Sequence, residues 1–441
     1  MSSPLRRTVR GMRDLLPEEA EHMRLIEMEA REVARLYGYR EVITPLIEHY
    51  ELLAAKIGEE NRKRMYVFED LGGRRVALRP EFTASIARLV STKMVAEPKP
   101  IRLFSVGSLY RYDEPQFGRY REFWQANYEL IGSSRPEADA EILSLSNDLL
   151  KKTGLEDYYF KVGHVGVLRG ILSEEGVKEA EQNRIMQLLD KKMQDEALNI
   201  LKKQASERCL ETLRRLFKVS GREWSRVIKE MNASVEGYEE ASSAVENLEA
   251  ILNLTSDAKM DLNVRVEAGF ARGLEYYTGM IFEVYVPGMD IALGGGGRYD
   301  RLIELFGGGP TPASGVALGI DRIMLAVKGR RPGWTPTWEG LRVLVLPVNE
   351  EVKGKAMELS SRLREKGVTV EVEVMGRRVS RALSDASRRR VTHVVIIGPK
   401  ELREGKVVLR DMKNKEQRTV TVDEVADMLE GLQSGSSRIS L

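Results

Sequence analysis

Arginine is the residue type through which this chain could handle phosphate. It holds no GxxxxGK[ST] loop, and no GxGxxG follows a strand; Gly294-Gly-Gly-Gly297 is glycine-rich but lacks that spacing. Fixed guanidinium groups are the alternative, because they match phosphate oxygens two at a time and stay charged. Three segments supply them. Tyr110-Arg-Tyr-Asp-Glu-Pro-Gln-Phe-Gly-Arg-Tyr-Arg121-Glu-Phe-Trp-Gln125 interleaves arginines with aromatic rings. Ala271-Arg272-Gly-Leu-Glu-Tyr-Tyr-Thr-Gly279 sets one arginine beside two phenols, and Gly315-Val-Ala-Leu-Gly-Ile-Asp-Arg322 runs from small residues into another. Singly, an arginine at a strand end is usually a solvated or salt-bridged surface residue; three such segments in one chain ask for more. Metal and thiol chemistry have less support. His22, His49, His164 and His393 lie far apart, and none stands at a ligand spacing with another or with Cys209, so no Cys/His zinc site is expected. Cys209, in Glu207-Arg-Cys-Leu-Glu, reads as a bland helical residue.

The elements that would position these residues can be read from the pattern. A chain of 441 residues allows two to four domains at roughly 100–200 residues each. With 42% hydrophobic and 31% charged residues it is a folded composition. The net charge of +2 excludes a polybasic coat but leaves room for local patches. No apolar run approaches the roughly 18–20 residues of a membrane helix. Met1-Ser-Ser-Pro-Leu-Arg-Arg leads into no apolar segment, so no signal peptide is expected. The single cysteine excludes an internal disulfide framework and fits a reducing compartment.

Residues 17–36 have helical spacing, with Pro17 suited to the first turn and Gly38 just past the end. Arg40–Pro45 reads as a short strand. Tyr66–Asp70 and Arg75–Leu78 flank Gly72-Gly73 as a hairpin, and a helix over 82–94 follows. Ile101–Tyr110 and Phe123–Ile131 are antiparallel strands joined by a long polar loop, and long ordered loops are often functional. Residues 165–258 are rich in Glu, Lys, Leu and Met at helical period, so they read as helices inserted between strand-rich stretches. Strands resume at Leu262–Val266 and Ile281–Tyr285. A Pro/Gly-rich linker, 329–340, separates a C-terminal module of alternating strands and helices over 341–432, and 433–441 reads as a disordered tail.

These segments carry a resemblance. That around Arg111 resembles motif 2 of the class II aminoacyl-tRNA synthetases, that ending at Arg322 resembles motif 3, and that ending at Thr44-Pro45 resembles motif 1, the dimer-interface element. Arg272–Gly279 looks like the signature peptide of histidyl-tRNA synthetases. Leu78-Arg-Pro-Glu-Phe-Thr-Ala84, Gly294-Gly-Gly-Gly-Arg-Tyr-Asp300, Met375-Gly-Arg377 and Gly405–Met412 resemble further segments of that family. The resemblance covers about 10–432. It departs where the family often has Asp at Glu275 and Glu at Asp321. Motif 2 usually reads Arg-x-Glu but here reads Arg111-Tyr-Asp113-Glu114, which leaves open which carboxylate faces adenine.

The resemblance implies an α/β protein. Its α+β catalytic core is an antiparallel sheet flanked by helices, split as 1–164 and 259–328 around the 165–258 insertion, with an anticodon-binding domain at 341–432. It implies a histidine–tRNA ligase that joins histidine to ATP and passes it to tRNA-His. Arg111, Arg272 and Arg322 would be catalytic: Arg111 on the α-phosphate, Arg322 on the β- and γ-phosphates, and Arg272 between the α-phosphate and the substrate carboxylate. Asp113, Glu114, Arg119, Tyr120 and Phe123 would complete the ATP site; Phe123 stacks on adenine or, alternatively, fills a core position. Period-two alternation puts Gln125, Asn127 and Glu129 on one strand face. Histidine would meet Glu81, Thr83, Arg111, Gln125, Glu129, Arg272, Tyr276 and Tyr277, with Glu129 and Tyr277 reading the two imidazole nitrogens. If not a ligand, Arg272 would be an ion-pair partner of Glu275.

For tRNA, Gln116 and Arg119 of the motif 2 loop and Arg388-Arg-Arg390 are the candidates, although cations at a helix C-terminus are also ordinary dipole complementation. Residues 341–430 hold 19 Lys and Arg against 15 Asp and Glu, so the positive excess lies in that module. Magnesium would accompany ATP, with no zinc and no protein metal site; a cytoplasmic homodimer without membrane contact is implied. The rival is a histidine-binding regulatory paralogue that charges no tRNA; such relatives lack the C-terminal module and can lose the ATP arginines. Synthetases for threonine, proline or glycine share the module type, but Arg272–Gly279 argues against all three. An RNA-binding scaffold would leave the arginine segments unexplained.

Overall fold

The computed structural model describes residues 4–55, 57–330 and 341–436. Residues 331–340 of the expected linker and 437–441 of the expected tail lie outside them. The chain divides into two compact units, one ending at Thr335 and the other beginning at Pro336.

The first unit is built on a nine-stranded sheet. Six neighbouring strands are antiparallel throughout: Ile101–Tyr110, Glu122–Ile131, Ala313–Gly319, Gly294–Arg298, Met280–Tyr285 and Tyr159–His164. Arg40–Glu41 adds a parallel strand at one edge, and Val264–Glu267 then Ser220–Gly221 extend the other. The expected strand over 40–45 is thus confined to Arg40–Glu41. One face is closed by the helices Pro17–Leu36, Pro136–Lys152, Val165–Glu174 and Glu239–Asp257. Trp124, Ala126, Tyr128 and Leu130 pack into this core at alternate positions of one strand, alongside Ile26, Val33, Leu145, Leu168 and Leu248. The helices of 165–258 share this core with the sheet. Cys209 is fully buried there in the helix Glu207–Leu216, and burial pushes its thiol up to about 12.

Local rules explain the element ends. Pro17 occupies the first turn of Pro17–Leu36, and Gly38 takes the left-handed conformation just beyond it, at φ 74°. The His164 ring accepts the Gly166 N–H and caps Val165–Glu174, while its other nitrogen meets Asn247 at 3.2 Å. Burial lowers its pKa to about 4, so the ring is neutral. A separate three-stranded sheet, Ile47–His49, Arg75–Leu78 and Val67–Glu69, contains the hairpin expected around Gly72-Gly73.

The run Gly294–Gly297, given no strand by its sequence, forms a central strand with Arg298. Its neighbours press so close that only glycine fits. A Cβ on Gly294 would stand 2.3 Å from the Ala317 carbonyl oxygen, and one on Gly296 would stand 2.1 Å from that of Gly315. Arg298, at the end, anchors the strand through a buried ion pair with Asp139 at 2.7 Å and bonds to the Ser133 and Arg135 carbonyls.

The second unit holds a five-stranded sheet: Thr369–Val372, Arg342–Pro347, His393–Ile397, Lys406–Asp411 and Gln417–Thr421, the first three parallel and the rest antiparallel. Val343 and Val345 face one apolar cluster, Leu344 and Leu346 another, so helices cover both sides. The last helix runs Val422–Ser436, into the stretch expected to be tail, because the buried Val425, Ala426 and Leu429 fix its path. Among the described residues, no helix is long and apolar enough to cross a membrane.

The close packing predicts that Gly296→Ala lowers stability by about 1–3 kcal/mol or more, because backbone must give way. Gly309→Ala, with open space around it, should leave the urea midpoint unchanged.

Candidate active site

On the sheet face away from the helical core lies a cavity of about 690 Å³. Part of its floor is glycine backbone, with no side chain to fill the space above it. Gly315 pairs with Glu129 across the sheet, and a Cβ on it would fall 1.7 Å from the Glu129 carboxylate. A Cβ on Gly295 would fall 2.7 Å from a guanidinium nitrogen of Arg272.

The expected alternation holds: Phe123, Gln125, Asn127 and Glu129 all line the cavity. Glu129 is 1% exposed and heavily bonded. Thr83 Oγ1 donates to Oε1 at 2.7 Å, Asn127 Nδ2 donates to the same oxygen at 2.9 Å, and the Tyr299 hydroxyl donates to Oε2. Burial raises its pKa to about 7; the three donors hold it down but do not cancel the burial. Glu81, expected to meet histidine, is engaged by backbone. Its two oxygens accept the backbone N–H groups of Thr83 (2.6 Å) and Ala84 (2.9 Å) at the start of the helix Thr83–Lys93, and it still lines the cavity. The Gln125 side-chain oxygen is buried with no hydrogen-bond partner.

The three arginines converge on the same cavity. Arg111 donates to the Pro80 carbonyl at 2.9 Å and lies 5.2 Å over the Phe123 ring. Arg322 donates to the carbonyls of Gly118 (3.2 Å) and Ala292 (2.8 Å). Burial lowers Arg322 to about 10, and repulsion from Arg111 and Arg119 adds to it. Such mutual repulsion marks a place built for an anion. Arg272 donates to the Tyr277 hydroxyl at 3.2 Å and has Glu283, not Glu275, as its carboxylate neighbour, at 3.7 Å. Glu275 instead accepts from Gln187. Tyr276 packs against Tyr277 and Tyr299.

Asp113 lines the cavity, with Arg64 at 3.5 Å, whereas Glu114 points to solvent and pairs with Arg10. That separates the two carboxylates the sequence left equivalent. Gln116 and Arg119 exchange backbone hydrogen bonds (2.9 and 3.2 Å) at an exposed turn; Tyr120 follows under the Arg13 guanidinium. In the second unit, Arg388 is exposed beside Asp385, Arg389 is tied to Glu371 and Asp385, and Arg390 lines a groove with His393 and Lys413.

Sequence reading gave no role to Tyr299, Lys161, Asp190 or Glu283, all of which line the cavity. Tyr299 had a signal, since it lies in the quoted Gly294–Asp300 segment. Lys161 and Glu283 meet only through cross-strand pairing, which no local pattern discloses. Among the described residues, no group of three or more His, Cys, Asp or Glu side chains is placed to hold a metal ion.

A family model, histidyl-tRNA synthetase, matches residues 11–323, and another, anticodon binding domain, matches 342–432. The chain is 42% identical to the histidine–tRNA ligase of Methanocaldococcus jannaschii over 95% of this chain and 98% of that one. It is 38% identical to that of Pyrococcus furiosus over 96% and 98%. Among solved structures, it resembles apo Staphylococcus aureus histidyl-tRNA synthetase with a TM-score of 0.70 and 25% identity, over 96% of this chain and 99% of that one.

The raised Glu129 pKa predicts a stability signature. The native state holds a proton that the unfolded state releases between about pH 4.5 and 7, so stability contributed at low pH is lost as pH rises through about 7. Relative to Glu129→Gln, the ligand-free wild type should lose stability at up to about 1.4 kcal/mol per pH unit in that window, read from urea unfolding at fixed pH values.

Proposed function

The chain belongs to the histidyl-tRNA synthetase family, and from that premise we infer how its cavity works. It is a histidine–tRNA ligase: it activates L-histidine with ATP to histidyl-adenylate and pyrophosphate, then transfers histidine to the 3′ end of tRNA-His. The observation that carries the assignment of residues is the convergence of Arg111, Arg272 and Arg322 on one cavity that also holds the bonded Glu129 carboxyl.

Activation is an in-line displacement. A carboxylate oxygen of histidine bonds to the α-phosphorus, and the bond from that phosphorus to the bridging oxygen of pyrophosphate breaks. The protein's part is positioning and charge stabilisation. Arg111 takes the α-phosphate and Arg322 the β- and γ-phosphates. Arg119 and Tyr120 flank the phosphates from the loop, Phe123 stacks on adenine, and Asp113 accepts from its amino group. Arg272 neutralises the charge that develops between the histidine carboxylate and the α-phosphate. Magnesium would arrive on the ATP phosphates as part of the substrate.

For histidine, Glu129 accepts the imidazole N–H. Tyr277 accepts from Arg272, which leaves its own proton to donate to the second ring nitrogen. Tyr299, Asn127 and Thr83 fix the Glu129 carboxyl in aim. The unpartnered Gln125 oxygen and the remaining lone pairs of Glu81 receive the α-ammonium, with Tyr276 packed behind. A site that bonds both imidazole nitrogens rejects side chains lacking them, because its buried polar groups would go unpaired.

On the tRNA side, the exposed loop residues Gln116 and Arg119 are assigned to the acceptor end. In the second unit, Arg388 and Arg390 are freer to contact phosphate than Arg389, which its own acids engage. We assign a cytoplasmic homodimer. The exposed apolar side chains Ile43, Ile47, Phe68 and Leu71, on and beside the small sheet, supply a surface for a second copy. A non-catalytic regulatory paralogue is not favoured, because all three arginines face the cavity and residues 342–432 match an anticodon-binding module.

Pyrophosphate exchange into ATP, run with each of the twenty amino acids and no tRNA, tests this reading. Exchange is expected with histidine alone. Arg272→Ala should lower kcat by about a hundredfold or more. Glu129→Ala should raise the KM for histidine by at least about tenfold. Folded protein that binds histidine but exchanges with no amino acid would overturn the reading.

A further inference from the structure

Residues 10–13 run along the base of the loop that follows Arg111, and no role above uses them. The Gly11 carbonyl accepts the Arg121 N–H at 2.9 Å. Gly11 stands at φ 83°, and a Cβ there would fall 2.7 Å from the Arg121 side chain and 3.0 Å from Pro115, so the chain is pressed onto the loop. Arg10 pairs with Glu114. Arg13 does more. Its guanidinium lies 3.6 Å from the centre of the Tyr120 ring and also pairs with Asp321, whose side chain is 3% exposed. The other Asp321 oxygen accepts the Trp124 N–H at 2.6 Å.

One side chain therefore joins a loop ring, the start of the strand after the loop, and the helix residue that precedes Arg322. Arg322 in turn donates to Gly118 at the loop tip. The loop is held at two points, by Arg13 at Tyr120 and by Arg322 at Gly118. Asp321 depends on the same contact, because a buried carboxylate without its cation is strongly destabilising.

We propose that Arg13 is a positioning residue for ATP: with Gly11 it straps the 115–121 loop to the helix bearing Arg322, so that a triphosphate meets arginines already in place. The inference rests on the reading of Arg111, Arg119 and Arg322 as phosphate ligands. The bonds that aim Glu129 come from Thr83, Asn127 and Tyr299, none of which the strap touches. ATP and histidine should therefore respond differently.

The test is pyrophosphate exchange and amide hydrogen exchange on the full chain, comparing wild type, Arg13→Ala and Arg13→Lys. Arg13→Ala should raise the KM for ATP about tenfold or more, and leave the KM for histidine within about twofold. Arg13→Lys keeps the ion pair but loses the flat stack, so it should fall between. Amides of 112–124 should exchange faster in Arg13→Ala, with those of 126–131 unchanged. The strap is overturned if the KM for ATP and the 112–124 amides stay at wild-type values. It is equally overturned if both KM values rise together with protection lost across the sheet, which is a general loss of structure. If wild type exchanges pyrophosphate with no amino acid, the ligase reading falls, while the 112–124 amides still decide whether the strap exists.

Discussion

The active cavity exists because its floor gives up side chains. Six antiparallel strands backed by helices on one face would ordinarily fill the other face with their own alternate side chains. Here Gly295 and Gly315 lie on two neighbouring central strands, and the space their side chains would fill is taken by Arg272 and Glu129 respectively. The carboxyl assigned to imidazole and the guanidinium assigned to the reacting carboxylate thus rest on backbone. Backbone in a paired sheet has no rotamers to exchange, so the distance between these two groups is set by strand spacing. Each glycine costs about 1 kcal/mol of chain entropy relative to alanine. Pairing on both sides holds the strand in place, and the buried Arg298–Asp139 pair fixes its end.

Charge is arranged around the same floor. Arg322 is repelled by Arg111 and Arg119 across the cavity, with Asp113 and Asp321 offsetting part of that repulsion. The guanidinium groups of Arg111 and Arg322 are held by neutral carbonyls, those of Pro80, Gly118 and Ala292, so position is fixed without spending the charge. Arg272 has Glu283 beside it and Lys161 beyond, a chain of alternating sign running across neighbouring strands. At the histidine end the balance is reversed: burial raises the Glu129 pKa to about 7 even with three donors holding it down. One end therefore waits for negative charge and the other for a hydrogen-bond donor, which orients an amino acid whose carboxylate and imidazole differ in these respects.

Much of this was legible in the sequence, for identifiable reasons. The alternation of Gln125, Asn127 and Glu129 survives because a strand has only two faces. The helix Pro17–Leu36 is bounded by a proline and a glycine whose backbone preferences need no tertiary help. The family resemblance supplied the roles. What escaped depended on register or on close approach. The glycine strand has no side chains to show a period, so it did not read as a strand. Glu275 and Arg272 are neighbours in sequence yet take different partners, because Glu283 reaches Arg272 from the next strand. Asp113 and Glu114 differ only in where the chain turns, and that turn is fixed by residues about a hundred positions earlier.

The lone thiol acquires a meaning from where it is kept. Cys209 is wholly enclosed among the helices beneath the sheet, and its proton is held far above physiological pH. An alkylating or oxidising reagent needs the thiolate and a path to it, and the closed molecule offers neither. Modification must wait for that helical layer to part. In a chain with a single cysteine, the rate of labelling is therefore a clock for one event, the opening of the helices packed around Glu207–Leu216.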